Sequence, residues 1–196
     1  MSYVPKDLPF SMKSLKGISE KAMQIHHDKL YAGYVTKKNE IQEKLESVEL
    51  DTANATYSAL RALKAEESFA VNGVYLHEYY FAVLGGDGAP SGALKARIEK
   101  DFGSYESWDA MFKACGLAAR GWVVLAWDTH EERLRIYTGD THNQGAVWGA
   151  IPLITLDVFE HAYFMDYGSD RPSYIKDFMA QLNWKTANGR FARFAR

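Results

Sequence analysis

With 196 residues, the chain is long enough for one well-filled core or two small lobes that share one. Its 23 Lys and Arg stand against 25 Asp and Glu, giving a net charge of −2 in short scattered runs, so no basic face is available for nucleic acid. The single cysteine, Cys115, rules out an internal disulfide and fits a reducing cytoplasm. Residues 1–10 lack the pattern of a secretory signal, and no apolar run reaches membrane-spanning length, so no membrane partner is expected.

In chain order, Ser19 is placed to cap a long helix running to about residue 45. Met23, His26, Leu30, Tyr34, Lys37, Ile41 and Leu45 recur at intervals of three and four, which predicts one stripe carrying His26, Leu30 and Tyr34. Asp51 is predicted to cap a second helix that passes Leu60, Phe69 and Val74 and ends at Gly85-Gly86. Gly73, His77 and Phe81 share one face of that helix. Residues 85–92 hold four glycines and Pro90, which marks the boundary between lobes. Two shorter helices follow at 94–101 and 105–117, the second capped by Ser104. Residues 121–128, a polar turn at 129–132 and the alternation through Leu134, Ile136 and Thr138 read as a β-hairpin. Residues 151–156 form a third strand that ends beside Asp157. Helices are predicted over 158–167, from Pro172 and from Asn183. The fold class is therefore α+β: an N-terminal long helical hairpin (1–87), then a C-terminal α/β lobe (88–196) with a three-stranded antiparallel sheet.

Of the six histidines, His130 sits in the hairpin turn, and only one of the adjacent pair His26-His27 can face a core. The run Asp157-Val-Phe-Glu-His161 is more informative. A carboxylate at a strand end and an imidazole one helical turn later can converge on one point, and that donor pair suits iron or manganese.

Three stretches then carry a family resemblance. They are Met23-Gln-Ile-His-His-Asp-Lys-Leu-Tyr-Ala-Gly-Tyr-Val35, Asp157-Val-Phe-Glu-His-Ala-Tyr-Phe164 with Arg171-Pro-Ser-Tyr-Ile175, and Asn183-Trp184. From about Leu8 to Trp184 the chain resembles the iron/manganese superoxide dismutases. The resemblance implies one iron or manganese ion per subunit, held by His26, His77, Asp157 and His161. It implies superoxide as substrate, a homodimer, Tyr34 as the active-site tyrosine, and Trp122, Phe159 and Glu160 as residues walling the site or reaching the subunit interface. A further side chain should bond the solvent on the metal. The first-half position for it is Gly73, so it must come from the loop before the third strand. His142 and Gln144 both stand there, and counting back from Asp157 without gaps favours His142. Thr155, where manganese-preferring members commonly have glycine, leans with His142 towards iron.

Leu30, Tyr31, Val74, Leu76 and Phe164 depart from the family pattern. Leu30 and Phe164 replace a His–Tyr pair together, which reads as a repacked apolar interface, because losing only one partner would leave a buried polar group unsatisfied. These departures motivate the alternative of a non-catalytic relative that keeps the fold for binding or structure.

Overall fold

The computed structural model describes residues 2–194. Its first half is a helical hairpin. One arm is a continuous rod of α1 (Glu20–Gln24), a π-helical segment (Ile25–Tyr31) and α2 (Ala32–Glu46). The Ser19 hydroxyl accepts the N–H of Ala22 at 3.1 Å and starts the rod as the sequence predicts.

The predicted stripe keeps His26 and Tyr34 toward the interior but loses Leu30. Through the π segment, bonds such as Ala32 N–H to the His27 carbonyl span five residues, so the helix turns through one extra residue. The buried residue after His26 is therefore Tyr31, fully enclosed, while Leu30 is only partly covered. From there Val35 and Lys38 carry the buried face.

The second arm, α3 (Ala59–Ala82), starts later than predicted. Asp51 lies exposed in a turn and caps nothing; Ser58 is the cap, accepting the N–H of Arg61 at 3.2 Å. The intervening chain is held out of helix by Asn54, whose side-chain oxygen accepts the N–H groups of Thr56 and Tyr57. Gly73, His77 and Phe81 share the buried face of α3. The glycine-rich stretch after it runs against residues 181–183. Gly86 N–H bonds the Gln181 carbonyl at 2.9 Å and Asn183 N–H bonds the Val83 carbonyl at 2.8 Å. A side chain at Gly86 would meet the Leu182 carbonyl oxygen at 2.3 Å, so only glycine lets the two segments approach this closely.

The second half contains α4 (Gly92–Phe102), α5 (Tyr105–Ala118), then β1 (Trp122–Asp128), β2 (Arg133–Gly139) and β3 (Ala150–Asp157). The sheet is antiparallel in the order β2-β1-β3. Three helices close the chain: α6 (Glu160–Tyr167), α7 (Arg171–Met179) and α8 (Trp184–Phe194). Pro172 lies in the first turn of α7, and Asn183 caps α8 by accepting the N–H of Thr186 at 3.0 Å. The hydrophobic core runs through both halves, with Trp108, Phe112, Leu125, Leu156, Tyr174 and Phe178 fully enclosed.

Register is what places the chemistry. β1 pairs with β3 so that Trp122 stands opposite Asp157, and Val158 N–H bonds the Gly121 carbonyl at 2.8 Å. The strand ends carrying the two side chains are thus locked side by side, facing the hairpin.

Candidate metal centre

Four side chains from distant parts of the chain meet between the hairpin and the sheet. His26 comes from the π segment, His77 from α3, Asp157 from the last position of β3 and His161 from the first turn of α6. Each offers one ligand atom, and the four atoms lie within 4.8 Å of one another. Oδ2 of Asp157 is 3.1 Å from Nε2 of His26, 3.2 Å from Nε2 of His161 and 3.6 Å from Nε2 of His77. His26, His77 and Asp157 are buried, and His161 is partly open.

Local bonds aim these groups. Oδ1 of Asp157 accepts the Phe159 N–H at 2.9 Å, which turns Oδ2 toward the histidines, and the Asp157 carbonyl accepts the Tyr174 hydroxyl at 2.7 Å. His77 donates Nδ1–H to the Gly73 carbonyl one turn back, which leaves its Nε2 lone pair pointing into the cluster. That Nε2 is buried and has no hydrogen-bond partner.

Electrostatics match. Burial, reinforced by neighbouring His26, holds the His77 imidazole down to about 3, and burial also lowers His26, so both are neutral at pH 7. Burial opposes ionisation of Asp157, but the His161 charge and the bonds from His161 and His26 win, keeping the carboxyl well below its ordinary range. Burial likewise works against protonation of His161, and the Asp157 charge overcomes it and raises that imidazole.

The group fits an ion. Ligand atoms about 2.1 Å from a shared ion and about 90–120° apart lie about 3.0–3.6 Å from each other. The separations around Oδ2 fall in that span. An orphaned buried nitrogen ordinarily destabilises by about 1–3 kcal/mol, which an ion would offset.

Comparison with known proteins agrees. Residues 2–85 match the alpha-hairpin domain of the iron/manganese superoxide dismutases, and residues 90–190 match their C-terminal domain. The chain belongs to the iron/manganese superoxide dismutase family. It is 44% identical to a protein of Aquifex aeolicus named an iron superoxide dismutase, covering 96% of this chain and 91% of that one. An iron superoxide dismutase of Cupriavidus metallidurans is 40% identical over all of both chains. A manganese superoxide dismutase of Halobacterium salinarum is also 40% identical, over 96% of this chain and 94% of its own.

Around the cluster of this superoxide dismutase family member lie several side chains that the sequence singles out. Trp122 is buried with its ring 5.1 Å from that of His77. Phe159 stacks on His161 at 5.4 Å, and Gly121 gives it room, since a Cβ there would meet the Phe159 ring at 2.7 Å. Gly121→Ala is therefore expected to lower stability by about 1–3 kcal/mol and to displace Phe159, read by thermal unfolding and by the near-ultraviolet spectrum. Tyr34 is half-buried, 5.4 Å from the His77 ring and 4.6 Å from that of His142. Gly73 makes this possible: a Cβ there would lie 2.8 Å from the Tyr34 ring.

The two loop candidates separate. His142 is buried, and its Nδ1 accepts the Trp122 indole N–H at 2.9 Å. Gln144 is exposed. Glu160 is exposed on α6, with Phe164, 55% exposed, one turn along the same helix. Arg171 bonds the Tyr163 hydroxyl and the Ala119 carbonyl, and so ties α7 to α6 and to the end of α5.

Three residues near the cluster had no role in the sequence reading. Tyr174 holds the Asp157 carbonyl and also reaches the Tyr80 hydroxyl at 3.2 Å. Its signal was present, because it lies inside Arg171-Pro-Ser-Tyr-Ile175. Phe69 packs 4.6 Å from the His142 ring, and Tyr80 lies 5.2 Å from the His26 ring. Neither belongs to a motif, and only the packing identifies them.

Proposed function

We infer that the chain disproportionates superoxide: two superoxide anions and two protons become one dioxygen and one hydrogen peroxide. The observation that carries this reading is the convergence of three imidazole Nε2 atoms on Oδ2 of Asp157. His26, His77, Asp157 and His161 hold the ion. Bound there, iron or manganese supplies the one-electron cycle that oxidises one superoxide and reduces the next.

The protein supplies protons and shelter. His142 is held down to about 4 by burial, so its ring is neutral at pH 7. Because Nδ1 accepts from Trp122, the ring proton sits on Nε2, and His142 acts as a hydrogen-bond donor there. Trp122 therefore fixes the tautomer as well as walling the site. Burial, helped by the Asp157 charge, raises the Tyr34 phenol above its ordinary value, so Tyr34 keeps its proton through neutral and mildly alkaline pH. Tyr34 Oη and His142 Nε2 are the two proton-bearing atoms beside the cluster. Trp122, Phe159 and Phe69 exclude bulk water from them. The sign of the Tyr34 shift sets an expectation: activity stays flat past the usual tyrosine range and falls only above it. Tyr34→Phe moves or removes that alkaline limb in a pH-rate profile; an identical profile in the variant would take Tyr34 out of proton handling.

Iron is favoured over manganese. Thr155, the presence of His142 and the iron-named relatives at 44% and 40% identity support this choice, although a manganese-named relative matches as well as the second of them. Glu160, Phe164 and Met165, exposed along α6, support a homodimer face there. The single cysteine supports a cytoplasmic setting, and among the described residues no helix is long and apolar enough to cross a membrane. A division at 1–87 and 88–196 is supported by the two family matches ending at 85 and starting at 90. The test is elemental analysis of freshly purified protein, with a dismutation assay on its iron-loaded and manganese-loaded forms. Activity with iron supports the reading. Bound metal without activity in either form would favour the non-catalytic alternative.

A further inference from the structure

A second polar cluster lies against the hairpin and has no part in the chemistry above. Glu78 follows His77 on α3. Its Oε1 accepts both the Tyr31 hydroxyl at 2.9 Å and the Tyr3 hydroxyl at 2.8 Å, and its Oε2 pairs with the Lys6 ammonium. The Tyr31 hydroxyl in turn accepts the main-chain N–H of Lys6 at 2.9 Å. His27, next to His26, donates Nε2–H to the Lys6 carbonyl at 2.8 Å. Residue 3 is itself pinned to α2 by a reciprocal pair of bonds with the Asn39 side chain.

Two of these residues are adjacent to ligands. Glu78 and His27 are sequence neighbours of His77 and His26. Tyr31 is brought inward by the extra residue of the π segment, and its ring lies 6.4 Å from that of His77. On an unbroken α-helix, Tyr31 would be rotated about 100° from this direction. The π segment thus places His26 and Tyr31 together, one toward the ion site and one toward Glu78.

We propose that Tyr31 and Glu78, strapped by Tyr3 and Lys6 of the N-terminal segment, are positioning residues that set the spacing of His26 and His77 and so the tightness with which the ion is held. A carboxylate receiving two hydroxyls and an ammonium is held by charge-assisted bonds. It joins three stretches of chain at the level of the two hairpin ligands. The inference rests on the reading that these histidines bind the ion.

The experiment compares release of bound iron or manganese to excess chelator, and the electronic absorption of the metal-loaded protein, across four proteins. Tyr31→Phe keeps the ring and removes the hydroxyl, and release is expected to quicken by about 10-fold with a shifted absorption band. Tyr3→Phe removes one bond at the edge of the cluster, leaves the core intact, and is expected to act in the same direction by a smaller factor. Leu94→Ala, in the α4 core away from the cluster, is the control; it lowers the melting temperature yet leaves release within about 2-fold of wild type. Wild-type release rates and spectra in both tyrosine variants would overturn the proposal. Release quickened as much by Leu94→Ala as by Tyr31→Phe would reduce the cluster to general stability. A wild-type protein that binds neither metal would overturn the underlying reading, and that failure is visible before any variant is made.

Discussion

Asp157→Asn is expected to fold and to retain no metal. The amide keeps the shape of the carboxylate, and one oxygen can still accept the Phe159 N–H that shapes the entry to α6. The carbonyl bond from Tyr174 does not involve the side chain and survives. What disappears is the negative charge around which the three imidazoles gather. Three neutral nitrogens and an amide bind a divalent or trivalent ion far less tightly than the same set with a carboxylate. Loss of a partner bonded only to a ligand already lowers affinity or activity by 10–100-fold, so loss of the ligand charge should lower dismutation by more than about 100-fold. Circular dichroism should remain that of the parent, while elemental analysis should find little iron or manganese. A variant with full metal content would remove Asp157 from the ligand set.

The second large effect is expected at His142, with the opposite metal result. His142→Ala should keep the ion, since none of the four ligands is touched, and lose activity by about 100-fold or more, as a positioned proton donor contributes about 10²–10⁴ in rate. The variant also leaves the buried Trp122 N–H without an acceptor, at about 1–3 kcal/mol of stability. His142→Gln can accept from Trp122 and still donate, so it should recover part of both losses. Gln144→Ala, on an exposed side chain, should change activity less than about 2-fold. Loss of activity in Gln144→Ala with none in His142→Ala would reverse the reading of the loop.

Which features were legible in the sequence depends on how local their cause is. The caps at Ser19, Ser104 and Asn183 each depend on a bond to an N–H three residues on, so composition and position reveal them. The hairpin from Trp122 to Gly139 follows from alternation and a polar turn. The pair Asp157 and His161 is legible for the same reason, since strand end and first helical turn bring them together. The start of α3 was misplaced because Asp51 and Ser58 are both good caps, and the choice between them is made by Asn54 holding the chain between in turns.

The π segment was invisible because a periodicity argument assumes 3.6 residues per turn. Nothing in Ile25–Tyr31 announces the extra residue. A 3.6-residue period therefore assigns to Leu30 the inward place that Tyr31 occupies. The cluster of Tyr3, Lys6, Tyr31 and Glu78 was missed for a related reason. Its members are separated by up to 75 positions, and each looks like an ordinary surface residue until the hairpin folds. Likewise, the burial of His142 depends on β1 carrying Trp122 to it, a contact between residues 20 apart in sequence.

The central claim is that four side chains hold one iron or manganese ion. Anomalous diffraction from crystals of the purified protein, recorded at the iron and manganese absorption edges, tests it most directly. One strong peak per chain is expected, enclosed by Nε2 of His26, His77 and His161 and by Oδ2 of Asp157. A peak elsewhere, or crystals of active protein with no peak at that point, would contradict it.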